Sequence, residues 1–353
     1  MNKVVLLAPT PPPAGGIAGW TMRMLSAQLK NGWMVDVVDE KLIGNTETFG
    51  EGSNRHLSDE IVRTFRIWRD LSKKLKDKNV KVVHSCIPST TFAMLREYVC
   101  CLITHLHRRS FIIHFRCTTS NTTTSRIGIL VLKRLCRASD LIFVLNNHSQ
   151  QQIEHFCSTP IELIPNFVDS EEIMNDKYIS KNVHTALYVG GVIEEKGCSL
   201  ICDLSKSFPD IQFRMVGQAE QIIIDKAKDC PNVVITGPQK KNEVKEELLN
   251  ADLFLFLSHF PREGFSNALA EAMAYGLPCI VTDWAANADM IEKSGGRVVP
   301  INDLEKCISA FKDELNYELR RYQSEFNIRK VNRCYKDSVI LDQYVDCYER
   351  LCK

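Results

Sequence analysis

The sequence predicts an α/β protein built as two Rossmann-like, doubly wound parallel-sheet domains facing each other across a cleft. Three observations carry this expectation. The chain has 353 residues, more than one ordinary hydrophobic core accommodates. Short apolar runs bounded by turn signals alternate along it with amphipathic stretches. Those runs are near-continuously apolar rather than alternating, the pattern of strands covered on both faces.

The elements follow in order. VVLLA (4–8) reads as a strand, WTMRMLSAQLKNG (20–32) as a helix closed by Gly32, and MVDVVD (34–39) as the next strand. Residues 63–78 form a helix and VKVVHSC (80–86) a strand; 91–107 and FIIHF (111–115) repeat the pair. A helix over 125–139 precedes strands LIFVLN (141–146) and IELIPN (161–166). A second set opens with HTALYVG (184–190) and a helix near 197–207. It continues through IQFRMVG (211–217), NVVITG (232–237), LFLFLS (253–258), a helix after residue 266, and PCIVTD (278–283). The polar segment DSEEIMNDKYISKN (169–182) separates the sets. Expected domains are therefore 1–168 and 169–330. A last helix, within 331–353, carries apolar residues at helical spacing and is expected to pack back onto the first domain.

The net charge of +1 hides an asymmetry. Residues 1–170 hold 21 Lys+Arg against 14 Asp+Glu, or +7; residues 171–353 hold 23 against 29, or −6. A basic half joined to an acidic half suggests that one lobe meets an anionic partner. The helices at 91–109 and 125–139 pair apolar faces with Arg96, Arg108, Arg109, Arg126, Lys133, Arg134 and Arg137, which suits either an anionic lipid surface or plain solvation. Nucleic acid is not expected, because no binding module appears and aromatic residues do not interleave the basic ones. The 14 cysteines include no CxxC, so they read as buried thiols in a reducing compartment rather than a zinc ribbon. The opening MNKVVLLAPTPPP reads as a first strand cut off by prolines, not a signal peptide, and no window has the roughly 18 apolar residues of a spanning helix. The expected location is cytoplasmic, with contact at the inner face of the plasma membrane.

Candidate site residues lie at strand ends, where open α/β sheets bind ligands. After 253–258 comes HFPREGFSNALAEAMAYGLP, with Glu263 just before a helix and Glu271 one turn inside it. Ser266 or Asn267 can cap that helix, and its first amides suit a phosphate. The bland alternative is an ordinary capped helix with two exposed acids. In TPPPAGGIAGW (10–20), Gly15 and Gly16 remove side chains where backbone could approach a charged ligand. The segment is neither a P-loop nor a proper GxGxxG, although Gly19 and Asp39 keep a dinucleotide site open. His114 and Arg116 share one side of their strand end. His84 is a weaker candidate, and a lone strand histidine is more often a satisfied core residue.

EGFSNALAEAMAYGLP resembles the E-x7-E signature of retaining glycosyltransferases, specifically glycosyltransferase family 4 with the two-Rossmann-domain GT-B architecture. LYVGGVIEEKG (187–197) is similar to the family's strand-turn-helix segment, and LIPNFVD (163–169) to its domain-closing segment. The resemblance implies a nucleotide-sugar donor, UDP by family precedent, and a glycan or lipid-linked acceptor. It implies transfer with retention, no metal or other cofactor, and a place in cell-surface polysaccharide or glycolipid assembly. It assigns Glu263 to the transferred sugar, Glu271 to the ribose and Lys196 to the diphosphate. Gly15, Gly16, Arg262, Gly264, Phe265, Ser266, Asn267 and Gly237 complete the donor side. His114 or Arg116 is its active-site residue at the end of the fourth strand, and Ile17, Trp20 and Arg116 face the acceptor. Where the family carries an arginine five residues before the lysine, this chain has Gly191; Arg262 or Arg214 could supply the second cation. An NAD-dependent oxidoreductase and a non-catalytic partner subunit of the same fold are the alternatives.

Overall fold

The computed structural model describes residues 1–12, 15–41, 57–87 and 89–353. Pro13 and Ala14, inside the expected glycine loop, lie outside the described residues. The chain separates into two compact units, Met1–Asn166 with Ile340–Lys353, and Phe167–Val339.

In the first unit the strands are β1 (Lys3–Ala8), β2 (Met34–Asp39), β3 (Val80–Ile87), β4 (Ser110–Phe115), β5 (Leu141–Val144) and β6 (Ile161–Leu163). All pair in parallel in the order β2-β1-β3-β4-β5-β6. The helices are α1 (Gly16–Ser26), α2 (Leu57–Lys74), α3 (Thr91–Leu106), α4 (Thr119–Thr122), α5 (Arg126–Ala138) and α6 (Asn147–Glu154). β1, β3 and β4 are buried along almost their whole length, as their unbroken Val, Ile and Phe content requires. The chain direction reverses between β1 and β3, so the loops leaving those strands border a crevice. Arg96, expected on an outer basic face, is buried instead. It donates to Glu40 at 2.9 Å and to Glu97 at 2.8 Å, and Ser85 donates to Glu97 at 2.7 Å.

The second unit repeats the plan with β7 (Thr185–Val189), β8 (Gln212–Val216), β9 (Val233–Gly237), β10 (Leu253–Phe256), β11 (Cys279–Thr282) and β12 (Gly296–Val299). Its order, β12-β11-β10-β7-β8-β9, again reverses once, between β7 and β10. Its helices are α7 (Cys198–Ser205), α8 (Gln221–Ala227), α9 (Lys241–Asn250), α10 (Asn267–Ala274), α11 (Asn287–Ile291), α12 (Leu304–Asp313) and α13 (Tyr317–Cys334).

The expected last helix is two. α13 stops at Cys334 and α14 (Asp337–Arg350) begins after a break. Val168 causes the break: its amide donates to the Tyr335 carbonyl at 2.8 Å, and its carbonyl accepts from Asp337 N–H at 2.9 Å. Residues 331–339 therefore cluster with the second unit, and Ile340–Lys353, most of α14, with the first. There the Tyr348 hydroxyl lies 2.7 Å from His84 Nδ1, and Tyr344 sits among Trp20, His84 and Phe143. Eleven of the 14 cysteines are buried and all are free thiols. Among the described residues no helix is long and apolar enough to cross a membrane.

Candidate active site

Lys196 and Glu263, and in the first unit Gly15 and Gly16, lie after strands that flank a reversal point, whereas His114 and Arg116 lie at the end of β4. In the second unit those strands are β7 and β10. Lys196 closes a single helical turn, Glu194–Lys196, after β7, and Glu263 lies in the turn before α10. The two side chains form an ion pair, both mostly buried. The Lys196 ammonium also lies 4.8 Å from the Phe260 ring centroid, a cation–π contact that an apolar surround strengthens. Ser258 Oγ is 3.5 Å from the same carboxylate.

Backbone joins the two loops. His259 N–H donates to the Glu195 carbonyl at 2.8 Å. Gly197 has φ +76°, and a Cβ there would sit 2.3 Å from the Leu257 carbonyl oxygen. Only glycine tolerates both that backbone and that approach, so the glycine of EEKG brings Lys196 to Glu263.

α10 begins as the sequence suggests. The Ser266 side chain accepts from Leu269 N–H at 3.2 Å, which makes Ser266 the cap rather than Asn267. Phe265 is buried against Tyr335, so its ring is covered. Arg262 is exposed beside Glu263. Gly191 is exposed, and a Cβ there would meet nothing nearer than the Ile193 side chain at 4.0 Å. Arg214 does not supply the missing cation. It forms a bidentate pair with Glu247 at 2.6 and 2.7 Å, in a separate hollow of about 300 Å³ that includes Thr185 and Gln212, the first residues of their strands.

Glu271 lines a cavity of about 490 Å³ that Glu263 does not reach. Val189, Gln239, Lys241, Val244 and Tyr275 share its wall. Lys241 pairs with Glu172, and that hydrogen bond raises its pKa above the ordinary lysine value. The sequence reading missed Gln239, Lys241 and Tyr275. The signal was the turn GPQKK directly after β9. Gly237, which ends β9 with φ +78°, makes that turn. The E-x7-E acids thus belong to two adjoining places, one with a cation and one with a hollow.

In the first unit, the structure starts α1 at Gly16, four residues before the expected start, because Gly15 and Gly16 are the helix entry and not a loop before it. No side chain caps this end, and both glycines are exposed. Ile17 is half-buried and Trp20 wholly buried. Asp39, which kept the dinucleotide reading open, is used locally: its carboxylate accepts from Thr10 N–H at 3.0 Å, Thr10 Oγ1–H at 2.8 Å and Lys41 N–H at 2.9 Å.

At the end of β4, His114 and Arg116 do share a side, one beneath the other. His114 is wholly buried; its Nδ1 lies 3.1 Å from His84 Nε2, and its Nε2 lies 3.3 Å from Arg116 Nη1. Arg116 continues outward, donating to Asn166 Oδ1 at 2.6 Å with its guanidinium 4.7 Å from the Trp20 ring centroid. Burial first, then the Arg116 charge and His84, hold His114 well below the ordinary histidine range. Burial and Arg116 likewise lower His84 to about 3. His114 and the Trp20 ring are wholly covered, and Arg116, 8% exposed, is the outermost of the three. His84, Cys86 and His114 are the one group of possible metal ligands among the described residues. Both histidines are already hydrogen-bonded, a guanidinium adjoins them, and burial pushes the Cys86 thiol up to about 12. The group reads as a hydrogen-bonded core.

The family model "Glycosyltransferase Family 4" matches residues 14–172, and "Glycosyl transferases group 1" matches residues 169–330. The fold is the two-sheet GT-B architecture, and the two matched models, each over less than half of the chain, together take in residues 14–330. The chain is 25% identical over 175 residues to a Bacillus subtilis (strain 168) protein provisionally named teichuronic acid biosynthesis glycosyltransferase TuaC. It is 28% identical over 180 residues to the uncharacterized glycosyltransferase MJ1059 of Methanocaldococcus jannaschii. Each match takes in 45% of this chain, and the chain covers less than half of each relative's length, 42% and 43%. Among solved structures, sucrose-phosphate synthase from Thermosynechococcus elongatus superposes with a TM-score of 0.79 at 14% identity, over 99% of each chain. Anabaena Alr3699/HepE in complex with UDP and glucose superposes with a TM-score of 0.75 at 12% identity, over 99% of this chain and 100% of that one. At such identities the likeness concerns the fold. Neither the oxidoreductase nor the non-catalytic alternative is favoured by these matches.

Proposed function

We propose that the protein transfers a glycosyl group from a nucleotide sugar, UDP-linked, to an acceptor hydroxyl with retention of anomeric configuration. The observation that carries this reading is the Lys196–Glu263 pair beside the hollow lined by Glu271. In the proposal, Glu271 accepts from the ribose hydroxyls and the hollow takes the base between Val189 and Gln239. The diphosphate lies against the start of α10, where the peptide dipoles present positive charge. Lys196 turns from Glu263 to the diphosphate, which frees the carboxylate for the hydroxyls of the transferred sugar. The departing diphosphate then takes the acceptor proton on the same face.

In this reading Gly15 and Gly16 at the start of α1 bind the donor and Arg116 binds the acceptor, as the family resemblance assigns them. Ammonium, guanidinium and amides stabilise the leaving charge, so the reaction proceeds without a required metal ion. Arg262 supplies the cation that Gly191 does not. The UDP and glucose named for Alr3699/HepE support the choice of donor. The teichuronic acid named for TuaC supports a role in cell-surface polysaccharide assembly.

A panel of nucleotide sugars scored by thermal shift, with chelator present, tests the donor. The matching one raises the midpoint, because a ligand at about 100 times its Kd adds about 2.7 kcal/mol. Proton NMR of the first product formed then gives the anomeric configuration. A product of inverted configuration would overturn the retention part.

A further inference from the structure

We propose that Arg116 is a socket for an anion, and that the acceptor carries the carboxylate or phosphate group that fills it. Arg116 is more than nine-tenths buried, yet among the described residues no carboxylate pairs with it. Its partners are neutral: the Asn166 side-chain oxygen at 2.6 Å, His114 Nε2 at 3.3 Å, and the Trp20 ring, with its centroid at 4.7 Å. Its Nε is covered and has no acceptor among the described residues, although buried donors are nearly always paired. Arg96, the other buried arginine of this unit, has Glu40 and Glu97 against its guanidinium. A covered cation without a counter-charge is unfavourable, and an anion that supplies the charge removes that cost.

The groups beneath Arg116 hold it in place and leave its charge standing. A guanidinium only donates hydrogen bonds, so His114 Nε2 accepts from Arg116 and the His114 proton sits on Nδ1. That N–H donates to His84 Nε2 at 3.1 Å, which leaves the His84 proton on Nδ1, 2.7 Å from the Tyr348 hydroxyl. The hydrogen bonds therefore run one way, from Arg116 down to Tyr348, with both rings neutral. A planar guanidinium fixed in this manner matches the paired oxygens of a carboxylate or phosphate. Trp20 ties it to the start of α1. Trp20 lies one turn after Gly16, and that helix end has neither a side-chain cap nor an acidic residue in its first turn. Its peptide dipoles add positive potential on the same edge, and the net +7 of residues 1–170 draws anions to this unit. That the anion belongs to the acceptor rests on the proposed transfer; anion binding at Arg116 does not.

The test titrates the full chain with glucose, glucuronate and glucose 6-phosphate at constant ionic strength. UDP is present to occupy the donor-phosphate position, and ligand-observed NMR reads binding without turnover. At least one charged sugar binds, and glucose binds about tenfold more weakly or worse; which charged sugar binds tells carboxylate from phosphate. Arg116→Gln weakens that sugar about tenfold or more. Arg116→Lys, which keeps the charge without the fork, falls between. Both variants bind UDP as the wild type does. The wild-type comparison decides the matter if Arg116→Gln does not fold. Equal binding of glucose and the charged sugars overturns the inference, as does binding of none of the three, or unchanged binding of the charged sugar by Arg116→Gln. Failure of UDP itself to bind overturns the proposed transfer instead, and the same sugars titrated without UDP still decide the anion site.

Discussion

Lys196 and Glu263 are 67 residues apart and form an ion pair because Gly197 lets the loop after β7 rest on the carbonyl of Leu257. A cation and an acid that neutralise each other can exchange partners when an anion arrives. On the proposed reading, Lys196→Ala lowers kcat by about 10²–10³-fold, the usual loss of one preorganised charge donor, with a smaller change in KM. Steady-state kinetics on the donor identified by thermal shift checks this.

Gly197→Ala tests the backbone beneath that pair. The new Cβ meets a carbonyl oxygen at 2.3 Å on a left-handed backbone. Strain of about 1–3 kcal/mol is expected from the backbone conformation, with the clash added. For a chain of this size the midpoint falls by several degrees, at about 2–4 °C per kcal/mol. Gly19→Ala, where a Cβ meets nothing within 4 Å, leaves the midpoint nearly unchanged in the same scan.

His84 and His114 predict an acid limit. Both are held neutral in the fold by burial and by Arg116. A base whose folded pKa lies below its unfolded value contributes stability that is present above the unfolded pKa, about 6.5. That contribution is lost as pH falls through the window from about 6.5 towards about 3, where His84 titrates in the fold. Urea midpoints should therefore fall between pH 6.5 and 4. His84→Gln, which cannot titrate, should flatten that slope although it lowers stability at pH 7. An unchanged slope would place the acid sensitivity elsewhere.

The sequence showed most of the strands because buried parallel strands leave unbroken apolar runs, as in VVLLA and FIIHF. It did not show β12, GRVV, whose four residues are too short and too polar to register. It did not show α9 either, since KNEVKEELLN buries little beyond Leu248. The early start of α1 was hidden by two glycines that local propensity assigns to a loop. Residues of the site with a fixed spacing, Glu263 and Glu271, were visible from pattern; those assembled by topology were not. Tyr348 reaches His84 across 264 positions, and Gln239 joins Glu271 only because β9 and β7 share a sheet. Strand parity put His114 and Arg116 on one side, but depth is a tertiary property, so which of them faces outward needed the fold.

In the proposed transfer the two acids of one motif divide the labour. Calorimetric titration of UDP into Glu271→Ala and Glu263→Gln proteins, with turnover measured in parallel, tests it most directly. Loss of a charged hydrogen-bond partner costs about 1.5–3 kcal/mol, so Glu271→Ala should weaken UDP by roughly 10- to 150-fold. Glu263→Gln should bind UDP as the wild type does and transfer no sugar. Equal weakening of UDP by both substitutions, or normal turnover by Glu263→Gln, would contradict it.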